Sequence, residues 1–302
     1  MGVEAAIEEI HRSVLVDEIL RYLDPVPGGV YVDGTLGLGG HTEALLSRSA
    51  PDGRVIAFEW DEAAIELSRK RLRDFGTRLT IIRSNFAEIV SGLKGLGIDR
   101  VDGVLIDIGL SSLQLDRGER GFSFQRDEPL DMRMDIRQDT TAASLLASCS
   151  EEQLADIFFY FGDEYQARPI AAEIARAREK EPIRTTRQLA ALVAAAVPRR
   201  FHPKKIHVAT KVFQALRIAV NTELENLARI LDEAVPLLNT GARFCVISFH
   251  SLEDRIVKRK FRQNKELEVL TAKPVMPRAE EIAENPRSRS ARLRAACKRA
   301  EQ

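Results

Sequence analysis

Cysteine is sparse in this sequence: Cys149, Cys245 and Cys297 lie far apart and form no C-x-x-C pair. An odd, scattered set argues for a reducing compartment and against a disulfide framework or a zinc site. No cluster of ligand residues elsewhere calls for a metal. Net charge is missing too. The 45 Lys and Arg balance 45 Asp and Glu, so the chain lacks the overall basic excess of a nucleic-acid binder. Any positive charge that meets a polyanion must therefore be local. No apolar run approaches the roughly 20 residues of a membrane span, and no membrane partner is expected. The beginning carries Glu4, Glu8 and Glu9, unlike a signal or transit peptide, and Ala6 stands where a myristoylation signal has Ser or Thr. A cytoplasmic location is expected. Internal repeats and low-complexity tracts are absent as well.

What is present is an ordinary globular composition, 44% hydrophobic and 30% charged over 302 residues, enough for one large core or two modest ones. Short apolar runs predict strands at 30–33, 54–59, 79–82 and 101–107. Between them lie helical patterns, including one over 11–23 and one from Ala63 to Phe75. Strands alternating with helices, each strand nearly continuous in apolar residues, imply a parallel sheet covered on both faces.

The most informative stretch follows the first strand: Asp33-Gly34-Thr35-Leu36-Gly37-Leu38-Gly39-Gly40-His41. Gly37, Gly39 and Gly40 allow a sharp turn and close approach to a ligand, and the helix that follows aims its first amides at that ligand. About twenty residues on, the second strand ends in Glu59, where such sheets place an acid to accept from ribose hydroxyls. Thr42 occupies the third glycine position of the dinucleotide pattern and disfavours a pyrophosphate. The arrangement better suits S-adenosylmethionine, which has a ribose and a carboxylate but no phosphate.

Asp107 ends the fourth strand, at the carboxyl edge where open α/β sheets bind ligands. Many amino-methyltransferases carry Asp/Asn-Pro-Pro-aromatic here, to accept a hydrogen bond from an exocyclic amine and later its proton. This chain has Asp107-Ile108-Gly109-Leu110, so the carboxylate remains without that signature, and base and cofactor roles for Asp107 both stay open. Phe86 suits adenine stacking or core packing. His41 suits the methionine end of the cofactor or a helix cap. His250 reads as structural, and Met132 and Met134 as packing.

The pattern breaks from Gln114 to about Asp139, an Asp/Arg/Gly-rich irregular segment whose interleaved Phe and Met argue for order. Helices follow, opened by capping boxes at Ser150/Gln153 and Thr185/Gln188, with Gly162 closing the first. A long helix is predicted over 208–237, Gly241 then turns into a strand at 243–249, and short runs at 267–270 and 291–295 fit an antiparallel edge. Arg199, Arg200, Lys204, Lys205 and Lys211, with the tail residues Arg287, Arg289, Arg292 and Arg294, are candidates for RNA phosphate contacts.

These motifs, together with Arg120-Gly121-Phe122-Ser123-Phe124, Pro129-Leu130-Asp131-Met132-Arg133-Met134-Asp135, Ser248-Phe249-His250-Ser251-Leu252-Glu253-Asp254-Arg255 and Asn285-Pro286-Arg287-Ser288-Arg289-Ser290, resemble the bacterial 16S ribosomal RNA (cytosine-N(4))-methyltransferase family of MraW/RsmH type, over nearly the whole chain. The resemblance implies a Rossmann-like S-adenosylmethionine-dependent α/β sheet with an inserted helical domain. It divides the chain into 1–114, an insertion at 115–205 that recognises substrate, and 206–302. It further implies methylation of the exocyclic amine of a cytosine in the decoding region, within the small ribosomal subunit. Cofactor contacts carried over fall on Gly39, Gly40, His41, Glu59, Phe86, Asp107 and Gln114. Glu59 stands where Asp is usual, Trp60 replaces a polar or basic residue, and Ser13 and Leu113 replace prolines. A noncatalytic ribosome-assembly factor and a small-molecule methyltransferase are the competing readings.

Overall fold

A computed structural model of the chain describes residues 13–109 and 120–300. The chain forms two compact units: residues 1–111 joined with 224–302, and residues 112–223.

The first unit is a seven-stranded sheet in the order β3-β2-β1-β4-β5-β7-β6. Its strands are β1 (Val30–Asp33), β2 (Arg54–Glu59), β3 (Leu79–Arg83), β4 (Val101–Asp107), β5 (Leu238–Ser248), β6 (Leu267–Val269) and β7 (Arg292–Lys298). The first five pair in parallel, and β7 runs antiparallel to both β5 and β6. Successive side chains on a strand point to opposite faces, so the buried strands feed two separate cores. Val32, Val104, Ile106, Phe244 and Val246 pack on one side. Tyr31, Leu105, Cys245 and Ile247 pack on the other. This is the doubly covered sheet that the continuous apolar runs predict. Helices α1 (Val16–Leu23), α2 (Gly40–Arg48), α3 (Glu62–Arg71) and α4 (Ile89–Gly95) connect or flank the first strands.

In the second unit, α5 (Ala142–Ser148), α6 (Glu151–Gly162), α7 (Ala167–Arg178), α8 (Thr186–Ala196) and α9 (Thr210–Asn221) follow an irregular segment. Both capping boxes form: Ser150 Oγ and Gln153, and Thr185 Oγ1 and Gln188, satisfy each other's amides. Each removes two orphan donors from a helix start.

Several boundaries differ from the sequence reading. The first helix begins at Val16, because Leu15 is left-handed at φ 54°. The helix expected from Ala63 to Phe75 ends at Arg71 and passes into a 3-10 turn. Gly162 does not close its helix by conformation. Asp163 takes the left-handed position at φ 49°, while a Cβ on Gly162 would lie 2.7 Å from the Lys211 carbonyl oxygen, so Gly162 permits α6 and α9 to approach closely. The helix expected over 208–237 is two helices, α9 and α10 (Glu223–Glu233), broken at left-handed Thr222. The break is held by side chains: buried Asn221 accepts from Met134 N and donates to Met132 O, both at 2.8 Å, and Arg217 grips Glu223 with two bonds of 2.8 Å. The helical unit consequently runs to 223 and includes α9, beyond the expected end at 205. Strand β5 starts at Leu238, and Gly241 lies inside it, where the register with β4 shifts.

Candidate active site

At the carboxyl edge of the sheet, β1 ends in Asp33 and the chain turns through the glycines into α2. Gly37 and Gly39 have φ of 52° and 85°, conformations that side chains with a Cβ rarely adopt. Backbone bonds tie the loop to its neighbours: Gly34 N donates to Leu105 O on β4, and Leu36 N to Phe58 O on β2. Thr42, at the third glycine position, donates from Oγ1 to Asp33 Oδ2 at 2.7 Å. Fully buried Asp33 also accepts from Thr35 N, and burial holds its carboxyl above the ordinary carboxylate range.

Glu59, at the end of β2, closes on the same loop. Its Oε2 accepts from Gly37 N, and its Oε1 from Trp60 N and Asp61 N, each at 2.9 Å. Three of the four lone pairs of a carboxylate are thereby used, which leaves one acceptor direction. Burial pushes the group up to about 7, although the three amides pull the other way.

Across the edge, Asp107 ends β4 with its amide donating to Thr35 Oγ1 at 2.7 Å. Its Oδ2 lies 3.6 Å from His41 Nε2. His41 sits in the first turn of α2 and is 4% exposed, and among the described residues neither ring nitrogen has a hydrogen-bond partner. The helix is entered through Gly39 with no side-chain cap, so His41 is not the cap. Asp107 Oδ1 is likewise buried with no partner among the described residues. Buried polar atoms left unpaired are costly, and these three converge on one corner of the sheet edge. Phe86 opens a 3-10 turn beyond β3, capped by Asn85, and is half-buried against the core. Gly40 backs onto Ser13, whose Oγ a Cβ there would approach to 2.2 Å. The expected contact at Gln114 lies outside the described residues.

A model of the MraW methylase family matches residues 8–299. The chain belongs to the MraW methylase family. The ribosomal RNA small subunit methyltransferase H of Desulfotalea psychrophila is 66% identical over 289 residues, covering 96% of this chain and 98% of its own. Proteins of the same name from Geotalea uraniireducens and Geobacter sulfurreducens are 48% and 49% identical over 304 residues, each spanning 95% of this chain and at least 97% of their own.

In this MraW methylase the basic candidates divide. Arg199, Arg200, Lys204, Lys205 and Arg289 are exposed. Arg294 is buried and pairs with Asp254 at 2.6 and 3.0 Å, so it is a structural cation and not an RNA contact. Lys211 is committed as well, donating to Asp163 O at 2.6 Å and lying 5.3 Å from the centre of the Tyr165 ring. Sequence reasoning missed the Asp33–Thr42 bond and the Thr35–Asp107 bond. Thr42 in place of the third glycine was the available signal for the first. Nothing in the spacing signals the second, which depends on β1 lying beside β4. Among the described residues no group of three or more His, Cys, Asp or Glu could hold a metal ion. No helix among them is long and apolar enough to cross a membrane.

Proposed function

We propose that the chain methylates the exocyclic N(4) amine of a cytosine in 16S ribosomal RNA, presented within the small ribosomal subunit in the cytoplasm. It is an rRNA methyltransferase, and its cofactor is S-adenosylmethionine. The observation that carries the residue roles is the convergence of the glycine loop, Glu59 and the unpaired His41 and Asp107 atoms on one sheet edge, in a chain of this family.

The donors present fit that cofactor. Gly37, Gly39 and Gly40 form a turn that approaches a ligand without Cβ atoms, Glu59 keeps one acceptor direction for a ribose hydroxyl, and Phe86 offers a half-buried ring to the adenine. His41 completes the set toward the methionine end, and the family resemblance adds a cofactor contact at Gln114, which lies outside the described residues. The bound cofactor supplies an electrophilic methyl group on a sulfonium centre. An exocyclic amine is a weak nucleophile because its lone pair is delocalised into the ring. Asp107 accepts a hydrogen bond from that amine, which localises the pair, and takes the proton that the nitrogen sheds once it holds the methyl group. The base must be unpaired or flipped out to reach this edge.

The test is transfer from labelled S-adenosylmethionine to small subunits that lack the modification, followed by nucleoside analysis. Label in N(4)-methylcytidine is expected. Label in another nucleoside keeps the cofactor and ends the cytosine assignment, and tight subunit binding without transfer points to an assembly factor. Asp107→Asn should retain RNA binding and lower the transfer rate by roughly 10²–10⁴-fold. Near-normal turnover in that variant removes Asp107 from the proton's path.

A further inference from the structure

Beyond β5 the chain leaves the same sheet edge on helix α11 (Ser251–Gln263), capped by His250. Phe249, one residue earlier, lies against Gly109 just past Asp107: a Cβ there would stand 2.9 Å from Phe249 Cε2. The inner face of α11 buries Leu252, Glu253, Val257 and Phe261. Its outer face exposes Arg255, Lys258, Arg259 and Arg262. Their spacing of i, i+3, i+4 and i+7 aligns them in one stripe, about 10 Å long at the rise of an α-helix.

The other charged side chains of the helix each meet a polar or charged partner within the fold. Glu253 receives the amides of Phe249 and His250 and lies 2.8 Å from His250 Nε2. Asp254, one turn before Lys258, is placed for an i,i+4 pair with it, but its carboxylate is taken by Arg294. Lys260 pairs with Asp232, and Glu266, just past the helix, pairs with Lys298. Among the described residues, the four stripe cations have no ion-pair or hydrogen-bond partner. Helix stability does not account for them, because like charges at i,i+3 and i,i+4 repel. The helix dipole favours Arg262 near the C-terminus but not Arg255 in the second turn.

Resting on the methyltransferase reading above, we propose that this stripe binds the phosphate backbone of the RNA strand that runs to or from the methylated base. A stacked strand places a phosphate about every 3.4 Å along its axis, so the stripe spans roughly three. A lipid surface fits less well. Interfacial helices set apolar side chains into the bilayer beside their basic ones, whereas Leu252, Val257 and Phe261 of α11 all face the core. An overall charge of zero is compatible with such a local basic stripe.

The test compares the full chain with R255Q/K258Q/R259Q/R262Q and with the charge-retaining R255K/K258R/R259K/R262K. Affinity for small-subunit ribosomal RNA is measured from about 50 to about 200 mM salt. In the neutralised variant the slope of log affinity against log salt should become shallower by about two to three, since each lost phosphate contact removes about 0.7–0.9. Affinity at the low-salt end should fall at least about tenfold. The KM for RNA should rise with kcat and S-adenosylmethionine affinity unchanged, and the charge-retaining variant should match the wild type. K258Q and R259Q, each expected to reduce the slope by about one, carry the test if the fourfold variant does not fold. An unchanged slope in variants that bind S-adenosylmethionine normally overturns the proposal. So does loss of binding to phosphatidylserine vesicles with RNA affinity intact, which assigns the stripe to lipid. A wild type that transfers no methyl to RNA, yet shows the stripe-dependent slope, ends the methyltransferase reading and leaves the RNA stripe standing.

Discussion

At Glu59, burial and hydrogen bonding act in opposite directions. Three backbone amides favour the ionised carboxylate, and loss of water disfavours it more, so the group titrates at about 7 in place of 4.5. Between those values the folded chain holds a proton that the unfolded chain has released. Folding is therefore favoured at the acid end of the window, and stability falls as pH rises through it, by about 3 kcal/mol in total. The difference in unfolding free energy between wild type and Glu59→Gln, measured by chemical denaturation without cofactor from about pH 5 to about pH 8, should carry this slope. Parallel pH profiles would show that Glu59 ionises in the folded chain as it does in the unfolded one. Cofactor affinity should fall in the same variant, because a carboxamide offers two acceptor directions where the carboxylate offers four, too few for Gly37 N, Trp60 N, Asp61 N and a ribose hydroxyl together. The acid itself was legible, since it follows an apolar strand about twenty residues past a glycine turn. Its grip on Gly37 was not, because that bond joins the loop after β1 to the end of β2, and the adjacency of those two strands is a tertiary fact.

At the scale of elements, the two left-handed glycines of the loop are not equivalent. A Cβ at Gly37 would meet nothing closer than 3.9 Å, whereas one at Gly39 would stand 2.8 Å from Leu72 Cδ1. Gly37→Ala should therefore cost only the conformational strain, about 1 kcal/mol, and Gly39→Ala should cost about 2–3 kcal/mol through strain plus collision with the α3 end. Thermal unfolding of the two variants checks the order, and equal losses would mean that Leu72 yields freely. The capping boxes at Ser150 and Thr185 were readable because each is complete within four residues of sequence. The division of 208–237 was not. Apolar spacing continues across Thr222, and the chain breaks there because Asn221 is committed to the backbone of Met132 and Met134, some ninety residues earlier.

At the scale of the whole molecule, the helical unit should fold by itself if its bounds are those of its packing. Lys211 and Gln214 of α9 donate to the Asp163 and Phe161 carbonyls at the end of α6, so α9 completes the C-terminus of that helix. A fragment of residues 112–223 should show a cooperative thermal transition by circular dichroism, and one of residues 112–205 should show none, because it exposes the α6 face that α9 covers. Cooperative unfolding of the shorter fragment would return the boundary to 205. The strands, the glycine turn, the acids at the strand ends and the presence of a helical insertion were determined by the sequence alone. Each is written in a local period, a turn residue or a motif. The tertiary structure decided which cations are free and which are spent. Arg294 and Lys211 have the same local character as Arg259, but Asp254 and the end of α6 stand beside them only once the chain is folded. A charge's partners are set by distance in space, which sequence spacing reports only within a helix or across a short turn.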